Sequence, residues 1–132
     1  MDVKRVIIHA DGVSRGNPGP AAIGATIEDE GGRLVASISQ RIGRTTNNQA
    51  EYRALIAALK EALKLGVSEA GIHLDSELVV KQVTGRYRVK NTALKPLYSE
   101  VKRLGRLRGF TVTHVPRQQN READKLANSA FG

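Results

Sequence analysis

Apolar positions recur along this chain in two rhythms, one suited to strands and one to helices. Residues 3–11, VKRVIIHAD, are dense in β-branched side chains and read as a strand ending at Asp11. The following stretch, GVSRGNPGPAA, holds three glycines and two prolines, which predicts irregular chain. AIGATIED and RLVASISQRI read as two more strands, joined by a hairpin turn at Glu30-Gly31-Gly32.

After the polar turn GRTTNN the rhythm changes. Leu55, Ala58, Leu59 and Ala62 fall on one stripe of a helix from about residue 48 to Leu65, with Gly66 as its stop. GIHLDS then reads as a short strand ending at Asp75, and ELVVKQV as a short helix that Gly85 terminates. RYRVKNT is a basic connector to a helix over about 94–107, with Pro96 in its first turn. FTVTHV is a last strand, Pro116 breaks it, and READKLANSAF closes the chain as a helix. The order β-β-β-α-β-α-α-β-α predicts an α/β layered domain, an antiparallel hairpin feeding a mixed sheet. At 132 residues, with no internal repeat or linker, the chain is expected to form one domain over 1–132.

One position resists this pattern. Glu51 lies on the apolar stripe, one turn before Leu55, where an ionised carboxylate is costly unless something positive pairs with it. Three more acids are similarly placed. Asp11 and Asp75 sit at the carboxyl ends of predicted strands, where ligand sites gather in α/β folds, and Asp124 has Ala127 and Phe131 on its helix face. Each also has a purely structural use. Asp11 can start a turn, Asp75 can cap the next helix, Glu51 can favour a helix's first turn, and Asp124 can pair with Arg121 or Lys125.

Composition narrows the chemistry. The absence of cysteine excludes disulfides and thiolate metal sites. No apolar run approaches the roughly 20 residues needed to span a bilayer, and MDVKRVIIHADG lacks the features of a signal peptide. A soluble, cytoplasmic protein with no membrane partner is expected. The net charge is +8, and nine bases between Lys81 and Arg108 face one acid, Glu100. A one-signed run of this kind points to a polyanion, nucleic acid in preference to membrane.

Clustered carboxylates without buried bases repel one another, and hard divalent cations such as Mg²⁺ or Mn²⁺ resolve that repulsion. With a basic face beside them, four acids point to metal-assisted phosphodiester cleavage, served by two ions about 4 Å apart.

HADGVSRGNPGPAAIGATI, TTNNQAEYRALIAAL, LDSELVVKQV and VPRQQNREADKLA, in that order, resemble the type 1 ribonuclease H family over nearly the whole chain. The resemblance implies a ribonuclease H-like fold with a mixed five-stranded sheet, its first three strands antiparallel, and flanking helices. It also implies endonucleolytic hydrolysis of the RNA strand of RNA–DNA hybrids, leaving 5′-phosphate and 3′-hydroxyl ends. The family's carboxylate ligands, holding two Mg²⁺ (or Mn²⁺) ions, fall by motif on Asp11, Glu51, Asp75 and Asp124. Its RNA-strand contacts fall on Asn17, Asn47 and Asn48, whose amides can both donate to and accept from a 2′-hydroxyl. Asn17 as a turn former and Asn47 as a helix N-cap are the structural alternatives. Arg44, Thr46 and Asn91 match the family's deoxy-strand phosphate pocket.

Two departures stand out. Many members carry a histidine in the loop before the last aspartate; here RQQNRE has none, and His9, His73 and His114 read as strand residues used for packing or surface. Some members also insert a tryptophan-rich basic protrusion, where this chain has only RYRVKNT, leaving Arg86, Arg88 and Lys90 for charge and Tyr87 as a stacking surface. A monomer acting on the hybrid duplex is the expectation. The alternatives are another nuclease or strand transferase on the same fold, acting on double-stranded RNA or DNA, or a non-catalytic hybrid-binding module.

Overall fold

The computed structural model describes residues 5–105 and 109–132. Three strands open the chain, β1 (Arg5–Ser14), β2 (Gly19–Asp29) and β3 (Leu34–Thr45), each antiparallel to the next. β4 (Glu69–Leu74) pairs parallel with β1, and β5 (Gly109–His114) parallel with β4, so the sheet order is β3-β2-β1-β4-β5. The helices are α1 (Asn47–Lys64), α2 (Glu77–Val83), α3 (Lys95–Gly105) and α4 (Arg121–Ser129), with a 3₁₀ turn over Arg117–Asn120 before α4. No described helix is long and apolar enough to cross a membrane.

The expected hairpin forms at the glycine pair. Asp29 closes it by accepting, through Oδ1, from the N–H groups of Gly31 and Arg33, both at 2.9 Å. The segment after Asp11 is a correction. β1 does not end there but runs to Ser14, with Gly12 opposite Ile23 and Ser14 opposite Ala21, leaving only residues 15–18 irregular. Tertiary pairing overrides the weak strand propensity of Gly12, and the close crossing described below requires a glycine there.

α1 starts at a capping box. Thr46 Oγ accepts from the N–H of Gln49, and Gln49 Oε1 accepts from the N–H of Thr46 at 3.1 Å. The N-cap is therefore Thr46, and Asn47, the structural alternative considered for that role, is the first helical residue. Similarly, Ser76 caps α2 by accepting from Val79, so Asp75 is not spent on that task. α3 starts at Lys95 rather than 94 and is described to Gly105; Arg106 and Arg108 of the basic run lie outside the described residues.

The main core lies between the sheet and α1. Val6 and Ile8 of β1 and Ile72 and Leu74 of β4 are buried against Leu55 and Leu59, each worth about 1.5–3 kcal/mol. Tyr52 is fully buried and donates its hydroxyl to Gln82 Oε1 at 2.6 Å, which satisfies both groups and ties α1 to α2. α4 covers the other face of the sheet. A Cβ added to Gly24 would lie 2.2 Å from the carbonyl oxygen of Ala123, so only glycine lets α4 approach β2 this closely. Ser39 of β3 donates to the Leu126 carbonyl at 2.6 Å and holds that helix in place.

Candidate active site

Parallel pairing sets the first two acids side by side. Ala10 pairs with Leu74, so Asp11 and Asp75, the next residue on each chain, leave the sheet together. Glu51 arrives from the first turns of α1, which crosses β1 at Gly12. A Cβ on residue 12 would sit 2.2 Å from the backbone of Ala50. Glycine there lets the helix close down, and the Gly12 N–H donates to Glu51 Oε1 at 3.3 Å. The result is a trio, Asp11, Glu51 and Asp75, in which one carboxylate oxygen from each lies within 4.8 Å of the others.

The trio is recessed. Asp11 is 4% and Glu51 3% exposed, and Glu51 Oε2 is buried with no hydrogen-bond partner. Asp124, in the first turn of α4, brings its carboxyl within hydrogen-bonding reach of Asp11. Asn128 Nδ2 donates to Asp124 Oδ1 at 3.3 Å and to its carbonyl at 3.0 Å; neither Arg121 nor Lys125 pairs with this acid.

Burial, then the negative charge of Glu51, pushes the Asp11 carboxyl far above the usual range. Burial also raises Glu51, aided by the charge of Asp75, while the hydrogen bonds from Asp11 and from the Gly12 N–H and the charge of Arg117 oppose the shift. Burial thus favours the protonated forms of both acids. An oxygen donor set of three or four carboxylates with an orphaned buried oxygen fits a hard divalent cation. Such an ion would favour the ionised carboxylates and satisfy that oxygen together.

Sequence reasoning missed Asn120. It is 1% exposed, and its Nδ2 donates to the carbonyl of Ala10 at 2.9 Å and to Asp75 Oδ2 at 3.2 Å. Its Oδ1 is buried and unpartnered. The only sequence signal was an asparagine in a short polar connector, a setting in which most asparagines are solvated. The connector itself is the 3₁₀ turn over Arg117–Asn120, and this turn buries Asn120 beneath Asp75.

The remaining predicted residues take several settings. Asn17 Oδ1 accepts from the Asn47 N–H at 3.0 Å, which sets these two residues together at the start of α1, with Asn48 exposed beside them. The Thr46 side chain caps α1, and Asn91 Oδ1 accepts from the N–H groups of Ala93 at 2.8 Å and Leu94 at 3.3 Å. Both of these side chains already serve local structure. Arg44, Arg86, Arg88 and Lys90 are exposed. The basic face is smaller than its sequence count. Lys81 pairs with Glu77 at 2.5 Å, Arg103 pairs with Glu100 at 2.6 Å, and Lys102 donates to the Val83 carbonyl at 2.6 Å. Arg86, Arg88, Lys90 and Lys95 have no carboxylate partner among the described residues. Tyr87 is half exposed, with the Lys81 ammonium 4.9 Å from its ring centroid. His9 and His73 stack at 4.9 Å, and burial holds both below the ordinary imidazole pKa.

The family model described as Reverse transcriptase-like matches residues 9–130. The bifunctional protein Rv2228c of Mycobacterium tuberculosis is 48% identical over 129 residues, covering 96% of this chain and 35% of that protein. This chain therefore spans about a third of the length of the curated relatives it matches first. The crystal structure of RNase H1 from the halophilic archaeon Halobacterium salinarum superposes with a TM-score of 0.94 at 44% identity, covering 96% of this chain and 97% of that one. LC11-RNase H1, solved in complex with an RNA/DNA hybrid, superposes with a TM-score of 0.90 at 42% identity, covering 95% of each chain. The sheet order and helix placement described above are those of these RNase H1 structures. With this fold, these four acids and relatives matched almost end to end, the chain belongs to the type 1 ribonuclease H family.

Proposed function

We propose that this chain is a metal-dependent endoribonuclease that hydrolyses the RNA strand of RNA–DNA hybrids, leaving 5′-phosphate and 3′-hydroxyl ends. The observation that carries this reading is the recessed trio of Asp11, Glu51 and Asp75, with Asp124 beside it and an unpartnered Glu51 oxygen within it. Asp11, Glu51, Asp75 and Asp124 would hold two Mg²⁺ or Mn²⁺ ions. Bound there, these ions supply Lewis-acid stabilisation of the charge that develops on the phosphodiester and its leaving oxygen.

The chain's own groups do the rest. Gly12 N–H and Asn120 Nδ2 orient the Glu51 and Asp75 carboxylates. Asn17, Asn47 and Asn48 offer amide groups to the ribose 2′-hydroxyls, which DNA lacks, and so select the strand to be cut. Arg44, Thr46 and Asn91, and across the connector Arg86, Arg88 and Lys90, hold the backbone of the duplex; for Thr46 this requires sharing a side chain that already caps α1, and for Asn91 one that holds the turn before α3.

A substrate panel tests the reading. RNA–DNA hybrid, double-stranded RNA, double-stranded DNA and a DNA junction are incubated with Mg²⁺ or Mn²⁺, and product ends are mapped. Cleavage of the RNA strand of the hybrid with 5′-phosphate ends supports the proposal, and cleavage confined to DNA overturns it.

A further inference from the structure

Three arginines surround a shallow cavity of about 380 Å³ at the far end of α4, and no acid lines it. Arg15 follows β1, while Arg41 and Arg44 come from the end of β3, with Phe131 on the opposite wall. All three arginines are exposed, and none makes an ion pair among the described residues. Three unneutralised guanidinium groups around one hollow repel one another, so the arrangement needs an account.

Part of the account is local. Arg41 donates from Nε to the carbonyl of Ala130 at 2.8 Å and from Nη2 to that of Phe131 at 2.6 Å, capping the last turn of α4. The Arg15 guanidinium lies 3.9 Å over the Phe131 ring. Capping explains Arg41 alone. It leaves the charge of Arg15 beside Arg44, already assigned to the duplex backbone, unaccounted for, and Arg41 itself still has N–H groups to spare, since a guanidinium carries five. Arg15 gives its face to the ring, so its N–H edge stays free. Two of the three forks are thus pre-positioned, and fork geometry matches a phosphate.

The location ties the cavity to the substrate path. Arg15 stands two residues before Asn17, and Arg44 three before Asn47, so the cavity adjoins the pair of asparagines that the Asn17–Asn47 bond holds together. α4 spans the distance from Asp124 at the carboxylates to the cavity. Asp124 stands in its first turn and Phe131 just past its last residue, Ser129, so the carboxylates and the cavity lie at opposite ends of this helix.

We propose that Arg15, Arg41 and Arg44 form a backbone anchor that grips a phosphodiester of the bound duplex away from the cut. The proposal rests on the hybrid-cleaving function above and assigns Arg15 and Arg41 to substrate binding. The anchor is electrostatic and sequence-independent, so it shows in the salt dependence of binding.

The test measures binding of a fluorescent RNA–DNA hybrid to the full chain by anisotropy, in chelator so that nothing is cut, across a KCl series. Arg15→Gln, Arg15→Lys and the double variant Arg15→Gln/Arg44→Gln are compared with wild type. Arg15→Gln should weaken binding about three- to ten-fold near 0.1 M salt and flatten the log–log salt slope by about 0.9 for each phosphate left without its arginine. Arg15→Lys should keep the slope, and the double variant should weaken binding further, with the slope flattened by about 0.9 at most because one phosphodiester is involved. Methylphosphonates placed one at a time in either strand should copy the effect at one position and become silent in Arg15→Gln. Unchanged affinity and slope in the double variant would overturn the anchor. Cleavage assays on wild type keep the two readings apart: failure to cut any hybrid removes the proposed function, whereas cutting with an unaltered slope removes only the anchor.

Discussion

Asn120 Nδ2 donates to Asp75 Oδ2 at 3.2 Å while also holding the Ala10 carbonyl at 2.9 Å, so one buried amide fixes a site carboxylate to the strand that carries Asp11. Its role is positioning, since it orients an acid and carries no charge of its own. Asn120→Ala should lower kcat by at least about ten-fold, 1.4 kcal/mol in the barrier, and leave KM within about two-fold. It should also cost about 1–3 kcal/mol of stability, because the Ala10 carbonyl loses its buried donor. Steady-state kinetics beside urea denaturation separates the two effects. A drop in stability with unchanged kcat would reduce Asn120 to a structural residue.

Asp11→Asn keeps the shape of the side chain and removes its ability to ionise and ligate a cation. Cleavage should fall at least about a thousand-fold, roughly 4 kcal/mol of lost transition-state stabilisation. Hybrid binding in chelator should stay within a few-fold of wild type, because the proposed contacts through Asn17, Asn47 and Asn48 are untouched. Gel-based cleavage and anisotropy on the same preparation check both halves.

Glu51 gives the pH dependence. Unfolded carboxyl groups titrate near pH 4, while burial keeps Glu51 and Asp11 protonated to higher pH in the fold. Between those limits the folded state binds more protons, so the metal-free protein loses stability as pH rises through the window; below about pH 4 the contribution is fully present. Thermal melts in chelator should therefore show a lower Tm at pH 8 than at pH 5.5. Glu51→Gln should flatten that slope and raise Tm at pH 8 by roughly 3–6 °C per kcal/mol recovered. Mg²⁺ should raise the wild-type Tm most at high pH and have a smaller effect on Glu51→Gln. A Tm independent of pH in chelator would contradict the raised pKa of these buried acids.

These outcomes show which parts of the site were legible in the sequence. The order of elements along the chain and the four acids could be read because each rests on a local pattern: a β-branched run ending in Asp11, a helical stripe interrupted by Glu51, and acids at element ends. Glu51 stood out because an ionised group on an apolar stripe is costly, and the fold places it at 3% exposure beside Gly12. Asn120 was not legible, because its partners, Ala10 and Asp75, are 110 and 45 residues away. The extent of β1 was hidden for the same reason. Its last residues are held by pairing with β2, and the local propensity of a glycine there opposes a strand. The basic run was overcounted because Glu77, just before it, neutralises Lys81 across one helical turn.

Gly12 supplies the last prediction, because it links the fold to the site at one atom. A methyl group there would meet the backbone of Ala50 at 2.2 Å and that of Glu51 at 2.4 Å, and backbone cannot rotate away as a side chain can. Gly12→Ala must push α1 off β1 and lengthen the 3.3 Å bond from its own N–H to Glu51. Overpacking typically costs 1–3 kcal/mol, and a clash with backbone belongs at or beyond the top of that range. Gly71→Ala is the control, since a Cβ there meets its nearest neighbour, Ile7 Cδ1, at an ordinary 3.5 Å. Urea denaturation should show Gly12→Ala destabilised by about 3 kcal/mol or more and Gly71→Ala within about 1 kcal/mol of wild type. Cleavage should be lost in the first and kept in the second, even at temperatures where both are folded. If Gly12→Ala were as stable and active as Gly71→Ala, the close crossing of α1 over β1 could not be what places Glu51 among the acids.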